Sequence, residues 1–212
     1  MRRYLTEFIG TFFLVLTIGL TVLSGSPLAP LAIGVSLMIM VYMGGHVSGA
    51  HYNPAVTIAV ALRGGLPGSR VVPYMLSQIA GAIVAALVVY GITGRTFAPA
   101  PGEGVGTMAA LGIEFLYTFA LALVVLNVAV SPKTQGNSFY GLAIGFTVLT
   151  GAFAGGAISG GAFNPAVGIG PTLVNAMLGH GSMAPLWLYL VGPVLGAVLA
   201  AVVFGAQETG AD

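Results

Sequence analysis

Two near-copies of one segment constrain this chain more than anything else in it: Ser48 to Thr57 reads SGAHYNPAVT, and Ser159 to Gly168 reads SGGAFNPAVG. The copies belong to a longer repeat. Glu7-Phe8-Ile9-Gly10-Thr11-Phe12 returns as Glu114-Phe115-Leu116-Tyr117-Thr118-Phe119, Leu31-Ala32-Ile33-Gly34 as Leu142-Ala143-Ile144-Gly145, and Gly44-Gly45 as Gly155-Gly156. The chain therefore folds as two versions of one unit. TFAPAPGEGVGT, from Thr96 to Thr107, is rich in Pro and Gly and reads as a loop between them. The division is 1–95 for the first repeat, 96–107 for the connection and 108–212 for the second repeat.

The unit must live in a bilayer. Hydrophobic residues make up 57% of the chain and charged residues only 5%, against about 25% charged in soluble domains. Apolar runs close to the roughly 20 residues that a helix needs to span the hydrocarbon core are expected near 4–24, 29–45, 70–91, 108–130, 138–155 and 185–206. The alternation of a transmembrane barrel is absent. The chain has no cysteine, so neither disulfides nor thiolate ligands are available, and a net charge of +1 says nothing about partners, among which no nucleic acid is expected. The opening MRRYLTEFIGTFFLVL has the look of a cleaved signal, but it is one half of a repeated pair, so it is expected to stay as the first span.

Three spans per repeat is an odd number, so the second repeat enters from the opposite face and the two are inverted. Arg2, Arg3, Arg63, Arg70 and Lys133 then fall on one side, with only Arg95 on the other, which makes both termini cytoplasmic. Between the second and third span of each repeat lies an apolar remainder too short to cross, Asn53 to Leu62 and Asn164 to Val174. Each reads as a re-entrant half-helix, with asparagine as cap and proline at the first helical position. Entering from opposite faces, the two meet near the midplane, with the Asn53 and Asn164 amides as paired donors. Gly44 to Tyr52 and Gly155 to Phe163 read as irregular backbone, tolerated at that depth only when buried in protein or lining a wet cavity. Carbonyl acceptors, two central donors and two positive helix ends describe a passive conduit for uncharged hydrogen-bonding solutes.

The boxes Asn53-Pro54-Ala55 and Asn164-Pro165-Ala166, the six spans with two half-helices, and the two helices carrying Glu-Phe-x-x-Thr-Phe resemble the aquaporin and aquaglyceroporin family of major intrinsic proteins. The resemblance covers nearly the whole chain. It implies an all-α integral membrane fold, a channel rather than an enzyme, no cofactor, and a homotetramer with one pore per subunit in a plasma or bacterial inner membrane. In most of the family the second box continues with arginine, part of a narrow outer filter. Here that position is Val167, and the family register places the other filter positions at Ile33, Ala152 and Gly161. None of these side chains donates a hydrogen bond, so the member is atypical. A wide apolar rim points to solutes larger than water, such as glycerol, urea and neutral metalloid hydroxides including arsenite. A rim that dewets and blocks water is the competing reading.

Glu7 and Glu114 are ionisable groups within spans. The resemblance implies that each accepts N–H bonds from a re-entrant loop, and His51 is placed to pair with Glu7. His46 and His51 are five residues apart with no third ligand, so no metal site is expected. Ser48 and Ser159 lack an evident base and orienter, which argues against a membrane hydrolase. Gln78 reads as a satisfied interior group, and Tyr90, Trp187 and Tyr189 as packing or interface aromatics. Two further classes share the layout: a secondary transporter of inverted-repeat design, for which no coupling-ion site is evident, and a structural membrane protein with an occluded pore.

Overall fold

The computed structural model describes residues 1–178 and 181–209, and the helices account for its regular structure. They are α1 (Arg2–Leu23), α2 (Ala29–Ser48), α3 (Pro54–Leu62), α4 (Val71–Thr93), α5 (Thr107–Val125), α6 (Tyr140–Ser159), α7 (Pro165–Met177) and α8 (Leu188–Thr209). Six of these are long and apolar enough to cross a membrane, and α3 and α7 are the half-helices. A π turn, Leu126–Val130, continues α5, and short 3-10 turns precede α4 and α8.

One expectation is corrected. α2 and α6 do not stop at the glycine pairs but run on to Ser48 and Ser159, so only residues 49–52 and 160–163 are irregular. Glycine weakens a helix in water because it exposes backbone and gains freedom on unfolding. At the first glycine of each pair, Gly44 and Gly155, close approach of a neighbour requires it instead. A Cβ on Gly44 would overlap the Tyr52 hydroxyl and one on Gly155 would press on Ile113, whereas the helix hydrogen bonds are satisfied within the segment. The left-handed glycines that end the two helices come later, at Gly49 and Gly160. The second half-helix also runs past Val174, to Met177.

Small residues set the crossings. A Cβ on Gly81 of α4 would collide with the Phe8 carbonyl of α1, and one on Gly196 of α8 would collide with the Phe115 carbonyl of α5. Gly34 and Gly145 meet face to face where α2 crosses α6. In lipid no hydrophobic force draws helices together, so backbone approach of this kind supplies the dispersion contact that does. The half-helices interlock the repeats: α3 packs on α8 of the second, and α7 packs on α4 of the first. The bundle thus presents the start of both half-helices to its centre.

Candidate functional site

Each re-entrant loop is hung from one buried carboxylate. Glu7 Oε1 accepts the Ser48 hydroxyl at 2.6 Å and the His51 N–H at 3.1 Å, and Oε2 accepts the Tyr52 N–H at 2.7 Å and the Gln78 amide at 2.8 Å. Glu114 Oε1 accepts the Ser159 hydroxyl at 2.7 Å and the Ala162 N–H at 3.0 Å, and Oε2 accepts the Phe163 N–H at 2.7 Å. The His51 side chain does not pair with Glu7 as its position suggests. Its main-chain N–H does so, while the ring turns to Thr57 Oγ1, 3.1 Å from Nδ1. Ser48 and Ser159 are likewise committed to the carboxylates rather than to a histidine.

These bonds hold an unfavourable backbone. Tyr52 (φ 48°) and Phe163 (φ 49°) are left-handed aromatics, a conformation rare for bulky side chains. The carboxylate fixes each N–H, and the carbonyl of each is fixed across the repeats. Asn53 Nδ2 donates to the Phe163 carbonyl at 2.8 Å, and Asn164 Nδ2 donates to the Tyr52 carbonyl at 2.8 Å. Both asparagine oxygens cap their own half-helices, accepting from Ala55 N and Ala166 N at 2.9 Å. One N–H of each amide is therefore spent on joining the repeats, so each asparagine offers one donor to the centre rather than two. Among the described residues, the carbonyls of 49–51 and 160–162 accept no protein hydrogen bond.

A cavity of about 540 Å³ runs from one face of the bundle to this pair, and a second of about 810 Å³ opens from the other face. Ile33, Ala152, Gly161 and Val167 all border the first, together with Asn53, Asn164 and His51. Ile33 and Val167 are buried, and Gly161 sits with φ 64°, where its missing Cβ leaves Gly156 in close contact. His46 borders the second cavity, and Ile144 borders both. Phe97 to Ala100 of the connecting loop wall the first cavity, but Arg95 does not. Its guanidinium Nη1 donates to the Leu23 carbonyl at the end of α1, 3.0 Å away. Arg95→Ala is accordingly expected to leave solute flux in proteoliposomes unaltered, whereas a change in selectivity would place its charge in the conduit after all.

The model of the major intrinsic protein family matches residues 1–204. The chain belongs to that family. Aquaporin NIP1-4 of Oryza sativa subsp. japonica is 37% identical over 211 residues, covering 95% of this chain and 75% of the relative. Glycerol uptake facilitator protein-like 6 of Lactiplantibacillus plantarum is 35% identical over 222 residues, with both chains covered in full. The fold is similar to the X-ray structure of the aquaglyceroporin from Plasmodium falciparum, at a TM-score of 0.85 with 22% identity, covering 96% of this chain and 94% of the other. Members of the family are channels, not enzymes, so this multi-pass membrane protein passes water and small solutes.

Three residues of the channel's supporting shell escape a reading of the sequence. The Tyr74 hydroxyl donates to the Ser48 carbonyl at 2.8 Å, and the Tyr189 hydroxyl to the Ser159 carbonyl at 2.5 Å, which fixes the start of each loop. Tyr189 is therefore more than a packing aromatic. Gln78, read as merely satisfied, ties Glu7 to Thr57 and leaves its own Oε1 without a partner. Thr57 has no counterpart in the second repeat, where Gly168 stands.

Proposed function

We propose that this chain is a passive channel for uncharged solutes larger than water, glycerol, urea and neutral metalloid hydroxides such as arsenite, screened at Ile33, Ala152, Gly161 and Val167. The observation that carries the reading is the position of these four residues around one cavity that ends at Asn53 and Asn164. With no charged or donating group among them, the rim neither narrows the path with a long side chain nor repels or holds a solute by charge. The solute instead meets unpaired carbonyls along the loops, then one N–H from each asparagine. Two half-helix N-termini direct positive ends at that point, which disfavours cations.

The channel is a homotetramer in this reading, in a plasma or bacterial inner membrane, with both termini cytoplasmic. The distribution of Arg2, Arg3, Arg63, Arg70 and Lys133 supports the orientation. Stopped-flow light scattering on proteoliposomes, with water, urea, glycerol and arsenite as separate gradients, tests the reading. Flux of the three larger solutes above protein-free vesicles is expected, without saturation and without ion dependence. Water flux alone, or none, overturns it.

The asparagine pair supplies a second test. Asn164→Asp keeps the cap on Ala166 N, because aspartate caps as well, but sets an anion 2.8 Å from the Tyr52 carbonyl in place of a donor. Loss of one hydrogen bond and the added repulsion are expected to cut neutral-solute flux by about tenfold or to open a cation leak. Unchanged flux and selectivity in folded protein would show that this amide does not face the permeant.

A further inference from the structure

Hydrogen-bond capacity sets the state of the imidazole beside the asparagine pair. All four acceptor positions of the Glu7 carboxylate are taken, two of them by main-chain N–H groups. A carboxylate so surrounded only accepts, which means that Gln78 turns its NH2 toward it. The other N–H of that amide donates to Thr57 Oγ1 at 2.9 Å. Thr57 has one proton and two lone pairs. Its proton goes to the Asn53 carbonyl at 3.0 Å, and one lone pair receives Gln78. The remaining lone pair faces His51 Nδ1 at 3.1 Å.

If His51 carries its proton on Nδ1, Thr57 completes three hydrogen bonds. If Nδ1 is bare, Thr57 must withdraw its proton from Asn53 to serve it, and the cluster is left one bond short. The Nδ1–H tautomer is favoured for that reason, and Nε2 is then a bare acceptor. This nitrogen has no protein partner among the described residues and is not sealed from solvent. His51 borders the first cavity together with Asn53, and its Nε2 lies beside Gly49, which borders the second.

We infer that Thr57 and Gln78 are positioning residues that hold His51 as the Nδ1–H tautomer, making its Nε2 a specificity-determining acceptor in the conduit beside the Asn53 donor. The inference rests on reading the two cavities as one permeation path. It gives the path a polarity that the repeat alone does not. Ala162 and Gly168 stand where His51 and Thr57 would recur, so the second loop brings no side-chain acceptor to the centre. A solute passing Asn53 can accept from the amide and donate to the imidazole at once, which favours molecules that carry both functions, such as urea and polyols.

Nitrogen-15 solid-state NMR of the full chain in lipid bilayers, labelled at its three histidines, reads the tautomer directly. His51 is assigned by the signals that His51→Phe removes. The expected wild-type pattern is a protonated Nδ1 and a bare Nε2. Thr57→Ala removes the acceptor that holds Nδ1–H, and is expected to move most of the population to Nε2–H and to lower urea flux roughly three- to tenfold. Thr57→Ser should retain the wild-type spectrum. A wild-type His51 protonated on Nε2, or a Thr57→Ala spectrum like the wild type, overturns the inference. The wild-type spectrum decides even if the alanine variant does not assemble. Absence of urea flux in wild-type vesicles would instead refute the proposed function and leave the tautomer to the spectrum.

Discussion

Glu7→Leu is expected to destabilise the folded channel severely, and more than Glu114→Leu does. Glu7 is fully buried, and its removal leaves four donors without a partner: the Ser48 hydroxyl, the main-chain N–H groups of His51 and Tyr52, and one N–H of Gln78. Each orphaned donor costs about 1–3 kcal/mol, so the sum over four is on the order of 4–12 kcal/mol, comparable with the whole stability of a typical domain. Removing the buried charge offsets part of this, because the carboxylate no longer has to be desolvated. The offset does not rescue the loop. Tyr52 is left-handed, and without an acceptor for its N–H nothing on that side compensates its backbone strain. Glu114 holds three donors rather than four, since Tyr189 stands where the repeat would place a second glutamine. Thermal unfolding in detergent should therefore rank the wild type above Glu114→Leu and Glu114→Leu above Glu7→Leu. Equal melting temperatures for all three would show that the carboxylates do not hang the loops.

That asymmetry marks the boundary of what the sequence makes legible. The caps are readable because they are local: an asparagine before a proline at the first helical position serves its own half-helix, whatever packs around it. The spans are readable because length and apolarity answer to the bilayer alone, and the inverted layout because each repeat holds an odd number of spans. The bonds that join the repeats are not, since Asn53 and the Phe163 carbonyl are 110 residues apart and no pattern pairs a side chain with a distant carbonyl. The duplication itself misleads at the tyrosines. In the register that aligns Ser48 with Ser159, Tyr189 aligns with Gln78 and Tyr74 with Pro185, yet Tyr74 and Tyr189 perform the same task on the two serine carbonyls. Equivalent function is reached there from non-equivalent positions. The extension of α2 and α6 past their glycines was hidden for a different reason. Helix propensity is a scale measured in water, where exposed backbone has an alternative partner, and a membrane interior offers none.

Val167 is the position at which this member can be pushed back toward the common pattern of its family. Val167→Arg introduces five N–H donors and a fixed positive charge into a rim that has neither. The valine borders the first cavity beside Gly161 and Ala152, neither of which has a side chain long enough to obstruct the guanidinium. The carbonyls of residues 160–162, which lack protein partners, are acceptors on the same wall. The side chain therefore has both space and hydrogen-bonding capacity, and it narrows the passage that the wild-type residue leaves open. Water, small and able to accept from the guanidinium, continues to pass. Urea, glycerol and arsenite must displace or squeeze past it, and a barrier raised by even about 1.4 kcal/mol slows them roughly tenfold. Flux of those three solutes is expected to fall by about tenfold or more, with water permeability retained or raised, in vesicles matched for protein content. An arginine variant that reaches the membrane folded and carries the larger solutes at the wild-type rate would move the filter away from Ile33, Ala152, Gly161 and Val167, and the choice of solutes would fall with it.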